Sequence, residues 1–281
     1  MDNRSSTPPV IRLSDYTPPA FLIPSVDLNF DIGDDVTTVT ARITVKRNPA
    51  AANAAAALVL DGDELVLESV HLDGKALAAS EYRADPHSLV IPEVPDSFIL
   101  ETVCRLDPTK NTKLMGLYAS SNGYFTQCEA EGFRRITYFL DRPDVMSRYT
   151  TTIRADKNRF PYLLSNGNPV AQGASKGGKH WAKWVDPFPK PAYLFAMVAA
   201  KLDRLDDTFT TASGRSVKLQ IYVESGKLDQ AGFAMKALKK SMRWDEEVFG
   251  LEVDLDQYMI VAVGDFNMGA MENKGLNIFN T

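Results

Sequence analysis

Phe21-Leu22-Ile23-Pro24-Ser25-Val26-Asp27-Leu28-Asn29-Phe30-Asp31-Ile32 decides the fold class of most of the chain. Val26, Leu28, Phe30 and Ile32 alternate with polar residues and share one face, and Val39, Ala41, Ile43 and Val45 repeat the pattern. A period of two marks strands with one buried side. Before this stretch, residues 1–20 carry Pro8-Pro9 and Pro18-Pro19 and read as an extended arm. After it, Ala50 to Ala57 would favour a helix by composition. Asn48-Pro49 and Asn53 interrupt that run, so a loop between strands is expected. Asp61-Gly62 and Asp73-Gly74 each follow an apolar run and are read as hairpin turns, because Asp-Gly tolerates positive φ at both positions. Further strands are expected over 89–91, 97–105, 135–140 and 147–155. No helical period appears before about residue 140, where Pro143 can open a turn. Residues 1–200 therefore predict a mainly β domain of antiparallel sheets.

The pattern changes after residue 201. Val217 to Val223 alternates as a strand. Leu228 to Phe249 is helical, with Ala231, Met235, Leu238, Met242 and Asp245 on one stripe and Ala234, Trp244 and Val248 beside it. Gly250 is placed to stop that helix. Tyr258-Met259-Ile260-Val261-Ala262-Val263 suits a buried strand. Strand, helix, strand is the opening of a mixed α/β domain over 201–281, and that domain is expected to be incomplete at Thr281.

The 281 residues are 44% hydrophobic, 24% charged and 10% aromatic, an ordinary composition for a globular protein. The net charge of −5 argues against a nucleic-acid binder. Lys236, Lys239 and Lys240 read as a solvated helix face. No run of 18 apolar residues predicts a membrane span, and Met1 to Pro9 lacks the apolar core of a signal peptide. Two cysteines, Cys104 and Cys128, fit a reducing compartment, so the cytoplasm is expected.

Two acidic stretches stand out. Gly269-Ala270-Met271-Glu272-Asn273 sets one carboxylate among small residues beside an apolar strand. Gln127-Cys128-Glu129-Ala130-Glu131, read as a strand, would put Gln127, Glu129 and Glu131 on one face. Carboxylates are the natural partners of a free peptide amine, because charge-assisted hydrogen bonds to an ammonium are short and strong. Taken by itself, the second stretch reads more simply as a solvent-facing strand edge.

Five separated stretches, in order, are similar to the bacterial branch of the aminopeptidase N family of zinc aminopeptidases. They are Gln127 to Phe133, Arg135 to Asp144, Leu163 to Asn168, Trp184 to Pro191 and Met268 to Asn280. Lys274-Gly275 favours the bacterial alanyl type, and Ala270 leans away from the epoxide-hydrolase relatives. The resemblance implies a saddle- or sandwich-like β domain over 1–200 and the start of a thermolysin-like catalytic domain over 201–281. It implies that Glu272 and Glu129 bind the substrate α-amine and that Gln127 lines the pocket for the first side chain. Met268 would sit against that side chain, which suits its flexible thioether. Backbone groups of Gly269 and Ala270 would contact the peptide, with Met271 and Asn273 completing the motif. Asp141, Arg142, Asp144 and Tyr138 are read as structural.

The family binds zinc through H-E-x-x-H, which this chain lacks. A catalytic zinc takes three protein ligands, commonly two histidines four apart on one helix face. His71, His87 and His180 have no such spacing and are assigned surface or structural roles. The zinc ligands and general base are expected beyond Thr281. The chain is thus expected to be part of a longer, monomeric aminopeptidase acting on peptides, without metal or peptidase activity of its own. Two alternatives are a non-catalytic β-rich binding module and an aminopeptidase-related epoxide hydrolase. The first of these is separated by whether Glu129 and Glu272 face one cleft.

Overall fold

The computed structural model describes residues 10, 12–52 and 55–281. Residues 1–9 and 11 of the arm expected over 1–20, and the interrupting Asn53, lie outside the described residues. The largest sheet has eight strands in the order Asn168–Ala174, Lys179–Lys190, Ser147–Asp156, Phe21–Ile32, Thr37–Arg47, Ser97–Leu106, Val66–Leu72 and Lys75–Ala76. Its pairs are antiparallel except Phe21–Ile32 beside Ser147–Asp156, which run parallel. The two alternating apolar sets are cross-strand partners on one buried face, with Val26 opposite Ile43, Leu28 opposite Ala41 and Phe30 opposite Val39. The register slips between Leu22 and Ser25, and the buried positions change from Phe21 and Ile23 to Val26 and Leu28. Pro24, which cannot donate to the ladder, sits at that slip.

Only one of the two Asp-Gly pairs makes a hairpin. Asp73 and Gly74 have φ of 50° and 80° and join Val66–Leu72 to Lys75–Ala76. Asp61-Gly62 does not turn the chain back. Leu58–Asp61 pairs with Ser88–Ile91, which pairs with Arg83–Asp85, in a separate three-stranded sheet. Gly62 serves packing instead: a Cβ there would fall 2.3 Å from the Tyr138 ring. The strand expected over 135–140 is also absent. A 3-10 turn, Phe133–Arg135, leads into a non-repetitive stretch held by one bridge, Asp61 to Phe139. Ile136, Thr137, Tyr138, Phe139 and Leu140 are all buried, so both sides of the chain face protein and no alternation develops. Arg142 forks onto Asp144 at 2.8 and 2.7 Å, a corner contact of the structural kind expected.

A four-stranded antiparallel sheet, in the order Tyr162–Ser165, Met197–Ala200, Gly123–Gln127 and Gly116–Ser120, was only faintly written in the sequence. It separates two cores. Leu117, Tyr124, Leu163, Met197 and Ala199 pack toward the large sheet. Tyr118, Phe125, Leu164, Val198 and Ala200 pack toward the C-terminal segment. Burial on both faces replaces alternation with continuous apolar runs.

The C-terminal segment forms a five-stranded sheet in the order Asp203–Thr210, Ser216–Val223, Gln257–Val263, Leu276–Asn280 and Ala270–Met271. The helix Ala231–Phe249 connects the parallel strands Ser216–Val223 and Gln257–Val263. Ala231, Met235 and Met242 are buried as its stripe predicts, but Asp245 is exposed, because a charged side chain at the end of the stripe turns to water. Gly250 ends the helix at φ 67°; its N–H reaches the Glu246 carbonyl at 3.1 Å, and that of Leu251 reaches Asp245 at 3.4 Å. Met259, Val261 and Val263 face the core shared with Tyr118 and Phe125, whereas Tyr258, Ile260 and Ala262 face the helix.

Candidate functional site

Gln127 is the last residue of the Gly123–Gln127 strand and is 1% exposed. The chain then turns, with the Gly132 N–H donating to the Cys128 carbonyl at 2.7 Å. Gln127, Glu129 and Glu131 therefore do not share a strand face, contrary to the expectation from their spacing. Gly132 permits the turn, since a Cβ there would meet the Gln127 carbonyl oxygen at 2.3 Å. Gln127 Nε2 donates to the backbone carbonyl of Glu129 at 3.2 Å, so the glutamine ties down the turn that carries the acid. Gln127 Oε1 is buried and has no partner among the described residues. Glu131 is exposed and pairs with Arg134 at 3.4 Å.

Glu272 follows the two-residue strand Ala270–Met271, where Ala270 pairs with Phe279 and Met271 with Ile278. Alternation carries through it: Ala270 and Glu272 are exposed, while Met271 and Asn273 are buried. Asn273 is 1% exposed, and both its side-chain polar atoms lack a hydrogen-bond partner. Met268 is 41% exposed and does not fill the core. Gly269 donates nothing special in conformation; a Cβ there would meet no atom within 4 Å, and its carbonyl accepts from the Asn280 N–H at 3.0 Å. Ala270–Met271 is the end strand of its sheet, so one row of its main-chain groups is open to an added strand.

The two acidic segments adjoin strands of different sheets, and those sheets share a core. Met271 packs in the same core as Tyr118 and Phe125, the latter two residues before Gln127. Tyr118 Oη donates to the Asp265 carbonyl at 2.9 Å, Ser120 Oγ to the Asp265 carboxylate at 2.7 Å, and Asn267 Nδ2 to the Leu114 carbonyl at 3.2 Å. Asn166 Nδ2 donates to the Lys274 carbonyl at 2.8 Å. Lys274 Nζ holds both oxygens of Asp254, at 2.8 and 2.7 Å, and lies 4.5 Å above the Phe188 ring. Among the described residues, neither the Glu129 nor the Glu272 carboxylate has an ion-pair or hydrogen-bond partner.

Sequence reasoning missed the buried side chains of Asn166, Asp186 and Lys190. Their motif matches contained them, but no spacing rule marks a buried polar side chain. The Cys128 thiol between Gln127 and Glu129 is raised well above its ordinary pKa by burial, so it is not a nucleophile at neutral pH.

Zinc does not fit the described residues. His180 Nε2 lies 2.7 Å from the Phe160 carbonyl, His71 Nδ1 3.9 Å from Glu101 and His87 Nδ1 3.7 Å from Asp63, at three separate places. No group of three or more His, Cys, Asp or Glu among the described residues is placed to hold a metal ion.

Residues 23–194 match the peptidase M1 N-terminal domain and residues 233–281 the peptidase family M1 domain. The chain belongs to peptidase family M1. It is 54% identical over 278 residues to aminopeptidase N of Caulobacter vibrioides, covering 99% of this chain and 32% of that protein. It is 55% identical over 267 residues to aminopeptidase N of Escherichia coli K12, covering 95% of this chain and 30% of that one. The crystal structure of Legionella pneumophila aminopeptidase A in complex with aspartic acid superposes with a TM-score of 0.92 at 37% identity, covering 96% of this chain and 32% of that chain. The chain thus spans about a third of the length of the curated relatives it matches.

Proposed function

We propose that this chain supplies the amine-anchoring part of an aminopeptidase substrate site. Residues 1–200 would be the β domain and 201–281 the opening of the catalytic domain. Glu129 and Glu272 clasp the protonated N-terminus of a peptide. Gln127 and Met268 border the first side chain, and the open edge of Ala270–Met271, with Gly269 and Asn273 at its ends, pairs with the extended peptide backbone. The observation that carries this reading is the pair of carboxylates without partners among the described residues, on segments next to two sheets that share one core. Burial of Met271 and Asn273 holds Glu272 on the open side of its strand.

The whole protein would release N-terminal residues, alanine among them, from peptides. Zinc would supply carbonyl polarisation and an activated water there, and no step of that chemistry is assigned to the residues described here. The protein would act as a monomer in the cytoplasm, where the buried free thiols Cys104 and Cys128 stay reduced. No helix among the described residues is long and apolar enough to cross a membrane.

The test is binding of L-alaninamide to this chain, followed by NMR. Shifts are expected in 127–131 and 268–273. Glu129→Gln and Glu272→Gln should each weaken binding by about tenfold or more, the scale of a charge-assisted hydrogen bond. N-acetyl-alaninamide should not bind. Equal binding of the acetylated compound would sink the reading and favour a β-rich module whose acids are decorative.

A further inference from the structure

Asp186 and Lys190 end the strand Lys179–Lys190 and form a buried ion pair. Their side chains are 0% and 2% exposed, with Lys190 Nζ 3.1 Å from Asp186 Oδ2. Lys190 Nζ also lies 3.7 Å above the Tyr149 ring centroid. Neither Nζ nor Oδ2 has a further hydrogen-bond partner among the described residues. A pair this dry is a poor way to gain stability, since apolar side chains of similar volume often do as well. Its position suggests a different use.

On one side, Asp186 Oδ1 accepts from the Phe188 N–H at 3.2 Å, and the Phe188 ring lies under the Lys274 ammonium, two residues past Glu272. On the other side, the Tyr149 ring under Lys190 meets Phe133, just past the Gln127–Gly132 turn, edge-on with centroids 6.0 Å apart.

We infer that Asp186 and Lys190 are positioning residues that hold the Gln127–Glu129 turn and the Glu272–Lys274 segment at one fixed separation. This rests on the reading of Glu129 and Glu272 as joint partners of a peptide amine. The requirement is geometric. Two carboxylates that share an ammonium must each come within about 3 Å of it, and a displacement of about 1 Å in a supporting segment is enough to lose one of them.

The experiment compares this chain with the double variant Asp186→Leu/Lys190→Met, which removes both charges at similar volume, and with Asp186→Asn as the milder variant. Amide hydrogen exchange is read by mass spectrometry. Exchange over 127–131 and over 272–276 should each accelerate at least tenfold in the double variant, and in the same direction in Asp186→Asn. The strand Phe21–Ile32 and the helix Ala231–Phe249 should be unchanged. Acceleration in only one of the two segments, in neither, or equally throughout the chain overturns the inference. A second reading uses L-alaninamide: Glu129→Gln should weaken binding at least tenfold in the natural chain but less than twofold in the double variant, because a misplaced acid has little left to lose. If Glu129→Gln and Glu272→Gln are both silent in the natural chain, the amine-anchoring reading fails, and the exchange result still decides the positioning role by itself.

Discussion

Asn166 Nδ2 donates to the carbonyl of Lys274 across 2.8 Å, joining residues 108 positions apart. The same amide group donates to Leu194 at 3.0 Å, and its Oδ1 accepts from the Ala196 N–H at 2.7 Å. One buried asparagine thereby fastens the strand end of the β domain to the segment that follows Glu272. Gly275, at φ 71°, brings the chain next to Gly167, where its Cβ position would lie 3.7 Å from the Gly167 nitrogen.

Replacement of Asn166 by alanine should therefore cost about 3 kcal/mol. Three hydrogen bonds are lost, and buried main-chain groups are left unsatisfied. Urea unfolding monitored by tryptophan fluorescence measures this, and hydrogen exchange over 272–276 should rise with it. A loss below about 1 kcal/mol would show that the asparagine is not a fastening point.

Gly62→Ala tests the corrected role of Asp61-Gly62. The added methyl is directed at the Tyr138 ring, so overpacking should destabilise the chain by about 2 kcal/mol. Tyr138→Leu in the same chain should make the alanine nearly neutral, since the obstructing ring is gone. A turn residue would behave differently: the cost of Gly62→Ala would persist without the ring.

Lys190 should leave a signature in the pH dependence of stability. Burial outweighs the pull of Asp186 and lowers its pKa from 10.5 to about 8. The sign follows from proton counts. Between about pH 8 and 10.5 the unfolded chain holds the proton and the folded chain has released it, so stability rises with pH across that window. Below pH 8 both states are protonated and the contribution is flat. The natural chain should therefore gain on Lys190→Met as pH rises from 8 to 10.5, by up to about 3 kcal/mol. Chemical unfolding of both proteins at pH 7.5, 9 and 10 measures the difference. A gap that stays constant would mean the ammonium does not titrate in this window.

The strands Phe21–Ile32 and Thr37–Arg47, the helix ending at Gly250 and the buried run 258–263 were legible in the residues. Each is governed by local rules: alternation for a half-buried strand, a 3.6-residue stripe for a helix, glycine where φ must be positive. The acid at 272 was legible too, because small neighbours and a following strand are local features. Failures came where a residue answers to something distant. Gly62 looks like a turn and is a clearance for Tyr138. The stretch 135–140 looks like a strand and is enclosed on every side. Met197–Ala200 shows no alternation because its sheet is buried between two cores.

By itself, the order of amino acids settled the half-buried strands and the helix, where the two acids lie, and that no histidine pair is spaced for zinc. Tertiary structure alone decided that Glu131 pairs with Arg134 while the Glu129 carboxylate has no partner among the described residues, that Asn166 reaches Lys274, and that Asp186 and Lys190 bury their charges together. The division has a physical cause. Periodicity and turn chemistry act over a few bonds and leave their mark on neighbouring residues, whereas the meeting of residues 108 apart is set by the packing of whole sheets, which no short pattern encodes.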